Sequence, residues 1–320
     1  GKEGLYEYVK HRAEATFVKE PIKPKAMENQ NGNAGKSDLP SIDRTPKMFI
    51  GGKQARPDGG NSMSVSDSFG RYIGEVPKGN RKDIRNAVEA AHASSWGGMT
   101  GHAKAQVLYY MAENLSIRAD EFAARLSQMT NQSPQDAARE VTASIERIYT
   151  YAAWADKYDG RVHHTTVRNV TLAMPEKVGV IGVICPSESP LLGFVSTVLP
   201  AITMGNSVVV VPSEVSPFSA TDFYQILETS DLPAGTVNIV TGHTDELMKE
   251  LAKHYDVDGL WYFGTAEGSK QVELLGTENL KRTWVSYGKY RNWMDKFQSE
   301  GEEFLRHATE IKNIWVPYGA

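Results

Sequence analysis

Few residues in this chain have the types and positions that chemistry requires. Cys185 is the only cysteine, and a thiolate is the readiest nucleophile among side chains. It closes the apolar run in "VGVIGVICPSESP", directly before Pro186. A lone cysteine in such a strand is usually buried and inert, so a structural role is expected. Glu188 lies in the same loop, and a half-buried carboxylate could act as an acid. Without a nucleophile beside it, a solvated or interface-paired Glu188 is the expectation. Ser213 and Glu214 follow another apolar run, in "SVVVVPSEVSP". Gly264, in "YFGTAEGSK", could let backbone amides approach a phosphate. The loop in "WVSYGKYR" (284–291) also ends a strand, yet its tip offers Val285, Ser286, Tyr287, Gly288 and Lys289, with neither acid nor thiol. His163 and His164 are neighbours on a predicted strand and point to opposite faces, which makes a shared ion awkward. His243, His254 and His307 are scattered, so no metal site is expected.

These loops need strands behind them. "VGVIGVI" (178–184), "SVVVVPS" (207–213), "TVNIVTG" (236–242), "GLWYFG" (259–264) and "RTWVSYG" (282–288) are short, nearly continuous apolar runs. Helical spacers separate most of them. Strands apolar on both faces and alternating with helices predict an α/β fold, a doubly wound and mostly parallel Rossmann-like sheet. Helices are expected over 81–95, 102–117, 119–130 and 134–158, forming an N-terminal helical layer. "KMFIGGK" predicts a strand entering a Gly-Gly turn, and "DSFGRYIGEVP" a hairpin. Residues 160–177 alternate polar and apolar, as a protruding two-stranded ribbon would. A helix over 299–309 and a last strand in "KNIWVPYG" complete the reading. No internal repeat stands out.

Composition narrows the classes. The chain has 320 residues, 40% apolar and 23% charged, with 35 basic and 39 acidic side chains. A net charge of −4 gives no basic excess to meet nucleic acid or a membrane surface. No apolar run approaches the roughly 20 residues that span a bilayer. A single cysteine excludes a disulfide framework and fits a reducing compartment, so a cytoplasmic location is expected. Residues 19–46 are rich in Pro, Gly, Asn and Lys and read as a flexible linker between a tail (1–18) and a domain (47–320).

Several segments in order resemble the aldehyde dehydrogenase superfamily. "FIGGK", "DIRNAVEAAHAS" and "YAAWADKYDGRV" are similar to its N-terminal segments. "EKVGVIGVICPSESPLL", "GNSVVVVPSEVSP", "LPAGTVNIVTG", "YFGTAEGSK" and "VSYGK" are similar to those of its dinucleotide-binding half. The tail "GKEGLYEYVK" resembles the C-terminal end of such a protein, although it precedes the domain here. Residues 4–10 are therefore expected to form a strand. The arrangement resembles a tandem protein of aldehyde dehydrogenase family 16, in which a shortened second unit follows a complete first.

The resemblance implies which positions should carry the reaction, and this sequence departs from each. The family's chemistry uses a thiolate, a Glu base, an oxyanion-hole amide and bound NAD. Cys185 is not at the nucleophile's place. Val285 stands where the base is expected. Ser187 and Glu188 replace the Trp and Asn of the oxyanion loop, and a carboxylate there would repel a developing oxyanion. Val211 replaces a Lys that would bond the ribose. Ser213, Glu214 and Gly264 remain as vestigial cofactor positions, while Gly268 is displaced by one and Ser269 stands where Gly is expected. Only about 30 residues follow "VSYGK", far fewer than a catalytic domain needs. The reading is an incomplete aldehyde dehydrogenase fold without catalytic residues, expected to bind no cofactor; NAD enters by family resemblance only. Its expected role is to scaffold a preceding aldehyde dehydrogenase unit of the same chain. It is expected to form a homodimer through the ribbon, and it could contact other proteins. The alternative is a residual nucleotide-binding regulatory domain.

Overall fold

The computed structural model describes residues 45–318. Its centre is a seven-stranded sheet built from β1 (Met48–Ile50), β2 (Lys53–Ala55), β7 (Val180–Ile184), β8 (Ser207–Val211), β9 (Val237–Ile239), β10 (Gly259–Tyr262) and β11 (Arg282–Val285). The order is β11-β10-β7-β8-β9-β1-β2. The five strands from β11 to β9 are parallel, and β1 and β2 add an antiparallel edge. The sheet is thus mostly parallel, as the apolar runs predict.

Strand pleat explains why those runs are apolar throughout. Side chains of a strand point alternately to opposite faces. Ile181, Val183, Val208 and Val210 enter one buried cluster, while Val180, Ile184, Val209 and Val211 enter the other. The first cluster is covered by α2 (Gly101–Ile117), α3 (Ala119–Thr130), α4 (Pro134–Trp154) and α5 (Leu192–Thr203). The second is covered by α1 (Arg81–His92), α8 (Thr244–Lys253) and α9 (Ala266–Leu275). Short helices α6 (Phe218–Asp222) and α7 (Tyr224–Thr229) link β8 to β9.

Local signals set the helix ends. Asn80 and Asp83 form a reciprocal capping box on α1, Thr100 caps α2, and Ser133 caps α4 ahead of Pro134. The expected helix over 299–309 is instead two short pieces, α10 (Lys296–Ser299) and α11 (Glu302–His307). Gly301, at φ 106°, breaks the run in a conformation that other residues rarely adopt.

Two smaller sheets stand apart. β3 (Ser62–Ser66) and β4 (Tyr72–Pro77) form the expected hairpin. β5 (Arg161–His163) and β6 (Asn169–Lys177) form the ribbon, and β12 (Thr309–Pro317) pairs with β6 along its whole length. The expected two-stranded ribbon is therefore a three-stranded sheet. Its third strand is the segment expected in "KNIWVPYG". The strand expected at 4–10 and most of the expected linker lie outside the described residues.

Candidate functional site

In an open doubly wound sheet, ligands bind at the carboxyl ends of the strands where the strand order reverses. Here β8 follows β7 on one side and β10 flanks it on the other, so the reversal lies between β7 and β10. The loops holding Cys185, Glu188, Ser213, Glu214, Gly264 and Val285 all leave this edge. These residues therefore share one edge of the sheet.

The turn after β10 is occupied by its own strand. Tyr262 is buried, and its ring lies against Gly264 and Gly268. A Cβ on Gly264 would come within 2.6 Å of the Tyr262 hydroxyl, and one on Gly268 would overlap it. The glycines are thus required by a tyrosine rather than by a ligand. Thr265 N–H donates to the Tyr262 hydroxyl at 3.2 Å, and Gly268 N–H donates to Thr265 Oγ1 at 3.1 Å. Those amides open α9 and are the donors a helix N-terminus would present to a pyrophosphate.

The loop after β11 closes over this turn. Gly288 N–H donates to the Gly264 carbonyl at 2.9 Å, Ser286 Oγ to the same carbonyl at 3.2 Å, and Tyr287 N–H to Ser269 Oγ at 3.0 Å. Ser269, standing where the family has Gly, supplies that acceptor and is fully buried. Tyr287 and Gly288 both have positive φ, 53° and 72°, which folds the loop back onto the turn. Val285 packs half-buried against the cluster that contains Val272 and Tyr262.

The other sequence-predicted residues are equally engaged. Glu214 accepts from Thr244 N–H at 2.8 Å and pairs with His243 Nδ1 at 2.8 Å. It therefore anchors the start of α8 with both oxygens. Burial pushes the Glu214 carboxyl up, but the His243 and Thr244 hydrogen bonds together outweigh it and hold the group below the usual glutamate range. Ser213 is buried, lies 3.2 Å from Ser187 Oγ, and accepts from Ser216 N–H at 3.2 Å. Glu188 is exposed. Cys185 is buried beside Thr197, at 3.7 Å, and burial pushes its thiol up to about 12. A thiol so placed is protonated at neutral pH and shielded from reagents. A recess of about 360 Å³ between β11 and β12 is lined by Arg282, Arg306, Thr309, Glu310 and Ile311, with no thiol or imidazole among them. Among the described residues no group of three His, Cys, Asp or Glu side chains is placed to hold a metal. No helix among them is long and apolar enough to cross a membrane.

A dinucleotide does not fit these residues. The Thr265 and Gly268 amides are bonded within the turn, the Glu214 carboxylate is bonded to α8, and Val211 is buried in the core. No chemical step through NAD is derived for this unit.

The segment after the loop is held by residues that sequence reasoning missed. Arg147, on α4 and 2% exposed, bonds Glu300 at 2.7 Å, the Ser299 carbonyl at 2.5 Å and Ser299 Oγ at 3.0 Å, and also reaches Ser196. Trp284 packs edge-on to Trp261, Phe263 and Phe304, each at 5.0 Å, and stacks flat on His307 at 4.0 Å. Arg291 covers this cluster and pairs with Glu303. The signal for Arg147 was a charge on the buried stripe Val141, Ser144, Ile148 and Tyr151 of α4. A charge on a buried face needs partners.

A doubly wound sheet with emptied strand-end loops defines a dinucleotide-type α/β domain, and comparison with known proteins places it further. The model of the aldehyde dehydrogenase family matches residues 56–290. This chain belongs to that family. It is 32% identical over 231 residues to an aldehyde dehydrogenase of Agaricus bisporus, covering 70% of this chain and 46% of the relative. It is 32% identical over 270 residues to aldehyde dehydrogenase 1A1 of Equus caballus, covering 80% and 54%. Among solved structures it resembles an NAD-dependent aldehyde dehydrogenase of Sinorhizobium meliloti, with a TM-score of 0.73, 25% identity, and coverage of 79% of this chain and 52% of that one. The chain spans about half the length of the curated relatives it matches.

Proposed function

We propose that this unit is a non-catalytic member of a tandem aldehyde dehydrogenase of family 16, scaffolding a preceding unit of the same chain. The observation that carries the reading is the self-closure of the strand-end loops. Thr265 N–H donates to the Tyr262 hydroxyl, Tyr287 N–H to Ser269 Oγ, and Ser286 Oγ and Gly288 N–H to the Gly264 carbonyl, where a cofactor would meet open groups. Val285 offers no base, and Cys185 is buried and protonated. The chain then returns from β11 to β12 through two short helices, and the Trp284 cluster and Arg147 seal that return.

Two features support the tandem and assembly parts of the reading. The tail "GKEGLYEYVK" resembles the C-terminal end of an aldehyde dehydrogenase and reads as the end of a preceding unit. β12 pairs with β6 along its whole length and completes the ribbon sheet. The ribbon sheet also leaves Val162, Met174, Ile311, Trp315 and Val316 exposed, which suits burial against a second copy. A cytoplasmic location and dimerisation through this sheet belong to the same proposal. Oxidation of aldehydes with NAD is the reaction of the parent protein class and not of this unit.

The test is an assay of the purified chain with NAD or NADP and a panel of aliphatic and aromatic aldehydes. No reduced cofactor above the buffer rate is expected; aldehyde-dependent turnover would overturn the reading. Saturable binding of NAD or AMP without turnover would instead favour the regulatory alternative. That alternative requires Glu214 to leave His243 and Thr244.

A further inference from the structure

The opposite edge of the sheet holds charge that the proposed function does not use. Lys177 ends β6, just ahead of β7, and Lys104 lies in the first turns of α2. Lys104 is 9% exposed. Its Nζ stands over Gly205, where a Cβ would come within 2.7 Å of it, and Lys177 Nζ stands over Gly97 in the same way. A Cβ on Gly205 would also lie 3.8 Å from the Gly97 Cα, so the two glycines and the two ammonium groups share one small space. Among the described residues neither ammonium has a hydrogen-bond or ion-pair partner. Burial, and then the charge of Lys177, lower the Lys104 ammonium below the usual lysine range, and no acid offsets them. Asp156, whose backbone lies beside Gly101 at the start of α2, is held by Lys157.

A buried, unpaired cation is costly, and a like charge beside it adds to the cost. The simplest structural account is that Lys104 serves the carboxyl end of α5, whose dipole favours a cation. Two of the last carbonyls of α5 are already taken, however. The Ile202 carbonyl accepts from Trp96 Nε1 at 2.7 Å and Gly205 N–H at 2.8 Å, and the Ala201 carbonyl accepts from Asn206 Nδ2 at 2.8 Å. A helix side chain leans toward its own N-terminus, so Lys104 points toward the start of α2. There the first amides add donors and a positive dipole end. Two point-charge ammoniums beside a helix N-terminus and two side-chain-free glycines form a cradle for a compact anion.

We propose that Lys104, Lys177 and the start of α2 bind a phosphate-type tetrahedral oxyanion. Two ammoniums match a dianion better than a single carboxylate, and neither presents the planar fork that favours carboxylates. The site lies across the sheet from the closed loops and does not depend on whether a dinucleotide binds there.

The experiment is calorimetric titration of the whole chain with inorganic phosphate at constant ionic strength, with acetate as the comparison anion. Phosphate is expected to bind saturably at one site per chain and to raise the melting temperature; acetate is expected to do neither. Lys104→Met and Lys177→Met are each expected to weaken phosphate binding at least about tenfold, while Lys312→Met, which removes a surface pair with Glu176, leaves it unchanged. Lys104→Met is also expected to raise stability in phosphate-free buffer, because it removes an unpaired buried charge. A destabilised Lys104→Met together with phosphate-insensitive wild type would establish the helix-end role and overturn the proposal. Equal phosphate binding by the Lys177→Met variant and wild type would also overturn it. Lys177 is exposed, so that second variant carries the test if the first fails to fold.

Discussion

At the carboxyl edge of the central sheet, the Thr265 and Gly268 amides and the Glu214 carboxylate are bonded within the chain. At the opposite edge, the Lys104 and Lys177 ammonium groups have no acceptor among the described residues. The first edge is where the fold family keeps its ligands, and the second is where an α/β sheet is usually inert. The contrast shows how a fold can outlast its chemistry. The strand core depends on apolar side chains alternating between two clusters, and those persist. The loops depend on a few polar groups left open for a ligand, and here these have partners of their own. Lys281 makes the contrast sharper. It also lies near the opposite edge, and burial lowers its ammonium to about 8, yet its Nζ donates to the His254 and Val257 carbonyls. A buried lysine there can be satisfied, and Lys104 is not.

The largest expected effect concerns the seal on the closed edge. Arg147→Ala should cost about 3–5 kcal/mol, because it strands Glu300 and the Ser299 carbonyl. Urea unfolding would measure this; a loss below about 1 kcal/mol would mean that the 286–301 segment is held by other contacts. Next, Cys185 in the native chain should react with iodoacetamide at pH 8 at least about a hundredfold more slowly than in denaturant, given its buried, protonated thiol. Comparable rates would place a reactive thiol near the old crevice.

Smaller effects probe single groups. Tyr262→Phe should cost about 1 kcal/mol by leaving Thr265 N–H without its acceptor. A variant of unchanged stability that gained NAD affinity would mean the hydroxyl alone closes the turn. Glu214→Gln should cost about 0.5 kcal/mol at pH 7, a modest figure because the side chain is 37% exposed. The folded Glu214 carboxyl titrates below its unfolded value, so the unfolded chain binds more protons between the two. Its contribution is therefore complete above the ordinary glutamate range and disappears as pH falls through the folded value. Wild type and variant should converge in acid when their melting temperatures are compared; a constant gap would contradict the hydrogen bonds between the Glu214 carboxylate and His243 and Thr244.

The sheet was legible because its strands are apolar on both faces, and the helices because their stripes and caps are local. Loop closure was not legible. Nothing in "YFGTAEGS" tells a glycine kept for a phosphate from one kept for a tyrosine ring. Only the contact of Tyr262 with Gly264 and Gly268 distinguishes them. The split at Gly301 was readable in principle, since a glycine within a short helix is a breaker. The partner of the ribbon was less so, because β12 pairs with β6 across more than a hundred residues. Lys104 could have been flagged: it opens the stripe that continues through Leu108, Met111 and Leu115. A charge at the head of a buried stripe is the same signal that Arg147 gave, with opposite outcomes for its pairing.

The most direct test of the closed edge is calorimetric titration of the whole chain with NAD to millimolar concentration. The account predicts no saturable heat, and the same silence for Glu214→Ala. Saturable binding that Glu214→Ala abolishes would contradict it, because the carboxylate would then be holding a ribose and not the start of α8.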